Sequence, residues 1–176
     1  MTNDHTAVPE RVHPATATGE RQALEQWLEF HRATLATKCA GLTDAQLRTV
    51  SVPPSELNLL GLVRHMAEAE RGWFRKVFGG EETPWLYATD EDFDRSLHTT
   101  DDDGYEEAHA TWQAEIAHAR KLTEGRDLDD LAAGTHDRTG DLINLRWIYL
   151  HMIEEYARHN GHADLIRERV DGATGA

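Results

Sequence analysis

The segment HMIEEYARHNGH, residues 151–162, sets a carboxylate and an imidazole, Glu155 and His159, four residues apart. In a helix that spacing brings both side chains over one point of the same face. The face is not an ordinary polar one. Leu145, Ile148, Met152, Glu155, His159, His162 and Ile166 follow alternating steps of three and four residues, the spacing of a core seam. Ionisable groups in such a seam need compensation, because burying an unpaired carboxylate or a charged imidazole costs several kcal/mol. A divalent cation is the simplest compensation. His65 can supply a third ligand from another helix, since it lies three residues after Leu62, four before Ala69 and eight before Trp73 and shares their inward side. Two imidazoles and one carboxylate leave a position open on a four-coordinate zinc, the layout of a catalytic rather than a closed structural site. Zinc suits this set, and nickel, iron or manganese would be accommodated.

His151, Glu155, His159 and His162 form a second stripe on the same side of that helix. His151 or His162 could therefore take a ligand place, orient a ligand, or shuttle protons near neutral pH. His31, inward on the first helix, is a further candidate. The competing reading is a seam satisfied by hydrogen bonds, with no metal.

The elements that must position these residues follow from periodicity. Leu24, Leu28, His31 and Leu35, with Trp27 alongside, predict a first helix over 20–40 that Gly41 stops. Thr43 and Gln46 have capping-box spacing and predict a short helix. A second long helix is predicted over 57–78, on Leu59, Leu62, Met66, Ala69 and Trp73, ended by Gly79 and Gly80. Residues 80–103 read as a long acidic loop carrying Trp85 and Tyr87, either the edge of a pocket or a solvated connection. Tyr105, Ala108, Trp112, Ile116 and Ala119 predict a third helix over 104–124, and the fourth is predicted over 142–169. Residues 125–141 are turn-rich, and no strand is expected. The fold class predicted is all-α, an up-down four-helix bundle over residues 20–170, with a flexible tail at 1–19 and a short one at 171–176. His5 and His13 fall in the first tail.

Bulk properties narrow the partners. The 176 residues carry 32 Asp and Glu against 18 Lys and Arg, a net charge of −14, which argues against nucleic acid and anionic membranes. No run of about 18 apolar residues occurs, so no membrane span is expected. The single cysteine, Cys39, rules out an internal disulfide, and the N-terminal stretch has no apolar signal region; both suit a cytoplasmic protein. There is no phosphate-binding glycine loop, nucleophile elbow or Cys-x-x-Cys.

Two stretches, LNLLGLVRHMAEAERGWFRKVFGG (58–80) and LRWIYLHMIEEYARHNGHADLIRE (145–168), resemble the DinB-like, YfiT-like superfamily of metal-dependent bundles, most closely its actinobacterial branch. That superfamily includes the mycothiol-dependent maleylpyruvate isomerase and thiol S-transferases. The resemblance implies a four-helix bundle, possible homodimerisation, and a metal held by one ligand from the second helix and two from the last. These fall on His65, Glu155 and His159. Many members have His where this chain has Glu155; the isomerase resembles this chain in having Glu. Where many relatives read His-Arg-Gly-Gln, this chain reads His159, Asn160, Gly161, His162, which changes the residues around the ligand. The C-terminal extension that the isomerase uses to complete its site has no counterpart here, so that exact reaction is not expected.

The activity implied is transfer or isomerisation by a small thiol such as mycothiol acting on an electrophile. A metal lowers the thiol pKa and presents a thiolate as nucleophile. Two alternatives use the same residues: hydrolysis by metal-activated water, and a non-catalytic metal that stabilises the bundle.

Overall fold

The computed structural model describes residues 10–89 and 91–175; His5 lies outside them. The chain is mostly helical. Helix α1 spans Glu20–Cys39, the one-turn α2 Asp44–Leu47, α3 Leu59–Glu70, α4 Tyr105–Thr123 and α5 Leu145–Asp171. Helix α3 does not stop at Glu70. It runs on as a wider, i→i+5 helix over Arg71–Phe78, so the segment from Leu59 to Phe78 is the second long helix that the periodicity predicts.

The ends are set by local chemistry. Asn58 caps α3 by accepting from the Gly61 amide at 2.8 Å, and Asn144 caps α5 through the Trp147 amide at 3.0 Å. Thr43 and Gln46 form the expected capping box on α2. Past α5, Gly172 takes φ +80, a left-handed conformation that side chains disfavour, and closes the helix on the Glu168 carbonyl.

Helix α1 lies along α5 and α3 along α4, while α3 also meets α5 and α1 around one core. Leu28, Leu35, Leu62, Met66, Trp112, Ile116, Ile148 and Met152 fill it, each at most 1% exposed. The stripe predicted for α4 is buried throughout, from Tyr105 to Ala119. Among the described residues no helix is long and apolar enough to cross a membrane.

One expectation needs correction. The chain contains strands: β1 (Leu131–Thr135) and β2 (Leu142–Asn144) pair antiparallel, so α5 starts at Leu145 rather than at residue 142. The pair packs on the wide helical segment, where Gly134 lies against the Val77 backbone. Strand β1 reads Leu-Ala-Ala-Gly-Thr, almost without β-branched or aromatic residues, so packing rather than propensity makes it a strand. The long loop between the second and third long helices carries one short element. Residues Phe93–Leu97 form a 3₁₀ turn seated against α3, and at Gly61 any side chain would collide with the Leu97 carbonyl.

Candidate metal centre

Helices α3 and α5 bring three of the predicted residues together. One ligand atom from each of His65, Glu155 and His159 lies within 4.8 Å of the others. His159 Nε2 is 3.5 Å and His65 Nε2 3.9 Å from the same oxygen, Glu155 Oε2. The two imidazole rings meet edge to face with centroids 4.7 Å apart. Donors bound at about 2.0–2.2 Å around a tetrahedral cation stand roughly 3.4 Å apart, so this set is close to a holding geometry without a backbone shift.

The other nitrogen of each ring is also engaged. His65 Nδ1 is 3.3 Å from Ser96 Oγ, and His159 Nδ1 is 3.3 Å from His162 Nδ1. Such partners fix ring orientation and tautomer and leave Nε2 free to face the centre. Ser96 is fully buried and belongs to the 3₁₀ turn of the long loop. Nothing in its local sequence marks it out.

Glu155 is mostly covered, its side chain 13% exposed. Burial opposes its ionisation, but hydrogen bonds from His159, His65 and Arg158 win and hold the carboxyl well below the usual carboxylate range. Its second oxygen, Oε1, meets Arg158 and lies 3.8 Å from His151 Nε2. Desolvation pushes the His151 imidazole below its ordinary value, against the pull of Glu155 and Glu154. His151 is stacked on Trp147 at 4.9 Å and edged by Trp73 at 4.5 Å. Desolvation also lowers His162, helped by His159 and Arg158. His31 is not drawn into the cluster; its carbonyl accepts from Asn160 at 3.1 Å.

The three residues line a cavity of about 750 Å³, within the range of small-molecule sites. His151 and His162 line it too. Of the two loop aromatics, Trp85 lines the cavity, whereas the Tyr87 ring lies under the Arg64 guanidinium at 4.4 Å. The loop is held by Glu68, which is fully buried and accepts the amides of Leu86, Tyr87 and Ala88 at 2.7–2.9 Å. Sequence reasoning missed Glu68, although it stands one turn after His65. Glu68→Ala is expected to cost roughly 2–3 kcal/mol, as three charge-assisted bonds go unmade. Hydrogen exchange checks this: the amides of residues 86–88 should lose protection while α1 and α5 keep theirs. Unchanged protection at 86–88 would refute the role.

A model of the mycothiol-S-transferase family matches residues 23–172. The chain belongs to that family. The match takes in all but the first turn of α1, the other three long helices whole, and every residue of the cluster, from His65 to His162. A crystal structure of a conserved protein from Enterococcus faecalis has a TM-score of 0.60 at 17% identity, over 89% of this chain and 100% of that one. At that identity the likeness concerns this family member's fold alone. No curated protein is significantly similar to it.

Proposed function

We propose that this chain is a metal-dependent S-transferase that joins a small thiol of the mycothiol type to an electrophile. The observation that carries the reading is the convergence of His65, Glu155 and His159, with Glu155 held ionised, on the wall of a cavity large enough for two small substrates. The donor set fits a divalent cation, zinc foremost, with nickel, iron or manganese as substitutes. Such an ion, when bound, lowers the pKa of a thiol beside it. Within this reading the four long helices act as an up-down bundle that fixes α3 against α5.

The remaining chemistry falls to the chain. Ser96 and His162 hold the two imidazoles in orientation through their Nδ1 atoms. His151, clamped between two indoles and open to the cavity, is the group placed to carry the thiol proton away. The thiol loses its proton and its sulfur forms a bond to the electrophilic carbon; the displaced electron pair leaves with halide from a haloaromatic, stays on the oxygen of an opened epoxide, or passes into the enolate of an enone, and the last two are then protonated.

The test is thiol consumption by zinc-loaded protein with a panel of haloaromatic, epoxide and enone electrophiles. Loss of thiol that depends on both metal and protein, and that disappears in His65→Ala, is the expected result. No thiol loss with any electrophile refutes the transferase. Hydrolysis of a model ester that needs metal but no thiol would replace it with a hydrolase.

A further inference from the structure

The cavity extends well beyond the metal cluster. Along one stripe of the second long helix, His65, Ala69, Gly72, Trp73 and Lys76 all line it. Lys76 lies eleven positions after His65, on the order of 15 Å along the axis. The middle of the stripe is floored by small residues, and indoles wall it. Trp73 comes from the helix and Trp85 from the pinned loop. The Trp85 ring sits so close to Gly72 that a Cβ there would approach it at 3.3 Å. At the far end the Lys76 ammonium rides over the Trp85 ring at 4.1 Å and donates to the Thr83 carbonyl at 2.7 Å.

That ammonium has a neutral hydrogen-bond partner, and among the described residues no carboxylate lies within ion-pair distance of it. Of the cavity's acidic residues outside the cluster, Glu68 is buried and taken up by the amides of Leu86, Tyr87 and Ala88, and Asp94 and Asp137 are exposed. In a chain of net charge −14, a cation left free of carboxylates inside an aromatic-walled cavity is a place for an anion. A flat ring system fits the indole walls, since aromatic pairs gain from edge and offset contacts beyond simple burial.

We infer that the stretch from Ala69 to Lys76, roofed by Trp85, is the subsite for the second substrate, and that this substrate is a planar aromatic carrying one anionic group, bound with its rings beside Trp73 and Trp85 and its anion at Lys76. That the bound molecule is the electrophile rests on the transferase reading. The slot itself does not. Its anion lies far from the metal cluster, so recognition and chemistry occupy opposite ends of one cavity. Lys76 is a specificity residue in this scheme, and Trp85 is held in place by Glu68 through the neighbouring amides.

Isothermal titration of zinc-loaded protein with two unreactive probes tests the subsite. Naphthalene-2-sulfonate is planar, anionic and a poor metal ligand; 2-naphthylmethanol has the same rings and no charge. The sulfonate is expected to bind wild-type protein about fivefold to tenfold more tightly than the alcohol. Lys76→Met keeps the aliphatic stem and should abolish that advantage while leaving the alcohol's affinity unchanged. Trp85→Leu should weaken both probes. Equal affinity of the two probes for the wild type, an advantage that survives Lys76→Met, or no binding of either overturns the inference. Because neither probe reacts, the outcome is separable from the transferase test. Charge-selective binding without thiol consumption keeps the subsite and removes the transferase; thiol consumption without charge-selective binding does the reverse.

Discussion

Glu155→Ala combined with His159→Ala is expected to take bound zinc from about one equivalent per chain to none. Elemental analysis of freshly purified, untagged protein measures it. The two residues supply two of the three converging donors, and a site reduced to His65 alone has no chelate to hold an ion against buffer. Thiol-transfer activity should fall with the metal, by at least about a thousandfold, since the ion supplies the acidity of the thiol. The fold should survive. The seam around the cluster is carried by Leu145, Ile148, Met152 and Ile166, all at most 2% exposed, and removing Glu155 also removes the desolvation cost of its carboxylate. A wild type that binds no metal even after loading would leave the cluster as a hydrogen-bonded polar seam, and the transferase and hydrolase readings would fall together. A large loss of helicity on chelation would instead identify a structural ion.

The largest expected effect on stability lies elsewhere, at Glu70. Its carboxylate is fully buried and accepts Arg32 Nε at 2.8 Å, Arg32 Nη2 at 2.6 Å and the Tyr156 hydroxyl at 2.7 Å. The Tyr156 oxygen in turn accepts the Trp112 indole N–H at 2.7 Å. One connected network thus ties α1, α3, α4 and α5 together. Burial, reinforced by the neighbouring carboxylate, raises the Tyr156 hydroxyl well above its ordinary value and keeps it a donor. Glu70→Ala would leave a guanidinium that is only 5% exposed with a single remaining carboxylate, the partly exposed Glu29 at 2.7 Å from Nη1. Breaking one side of a buried pair costs about 3–5 kcal/mol. For a chain of this size, each kcal/mol lowers Tm by about 2–4 °C, so thermal unfolding followed by circular dichroism should shift down by roughly 10 °C or more. A loss below about 1 kcal/mol would mean that water enters and resolvates Arg32, and the network would have no structural weight.

The same network shows why much of the interior was not legible in the chain. Arg32 and Glu70 are 38 residues apart, and each belongs to a type that is usually exposed. Only the packing of α1 on α3 makes them partners. Ser96 is similar: a serine in an acidic loop carries no signal until the 3₁₀ turn seats it beside His65. The hairpin was missed because β1 has little strand propensity and forms by lying against the wide helical segment after Glu70. Trp73 was read as core from its place on the apolar stripe, but it walls the cavity.

What the sequence determined by itself was whatever repeats with the helix. Spacings of three and four residues placed His65 inward on the second long helix and Glu155 and His159 on one face of the last, because backbone hydrogen bonding fixes where each side chain points. The tertiary structure decided what meets those faces. It brought the His65 ring to the carboxylate of Glu155, gave each imidazole its outer partner, and opened a cavity along α3 and its wide continuation as far as Lys76. Contacts between distant segments depend on how volumes fill the core, and no local pattern records that.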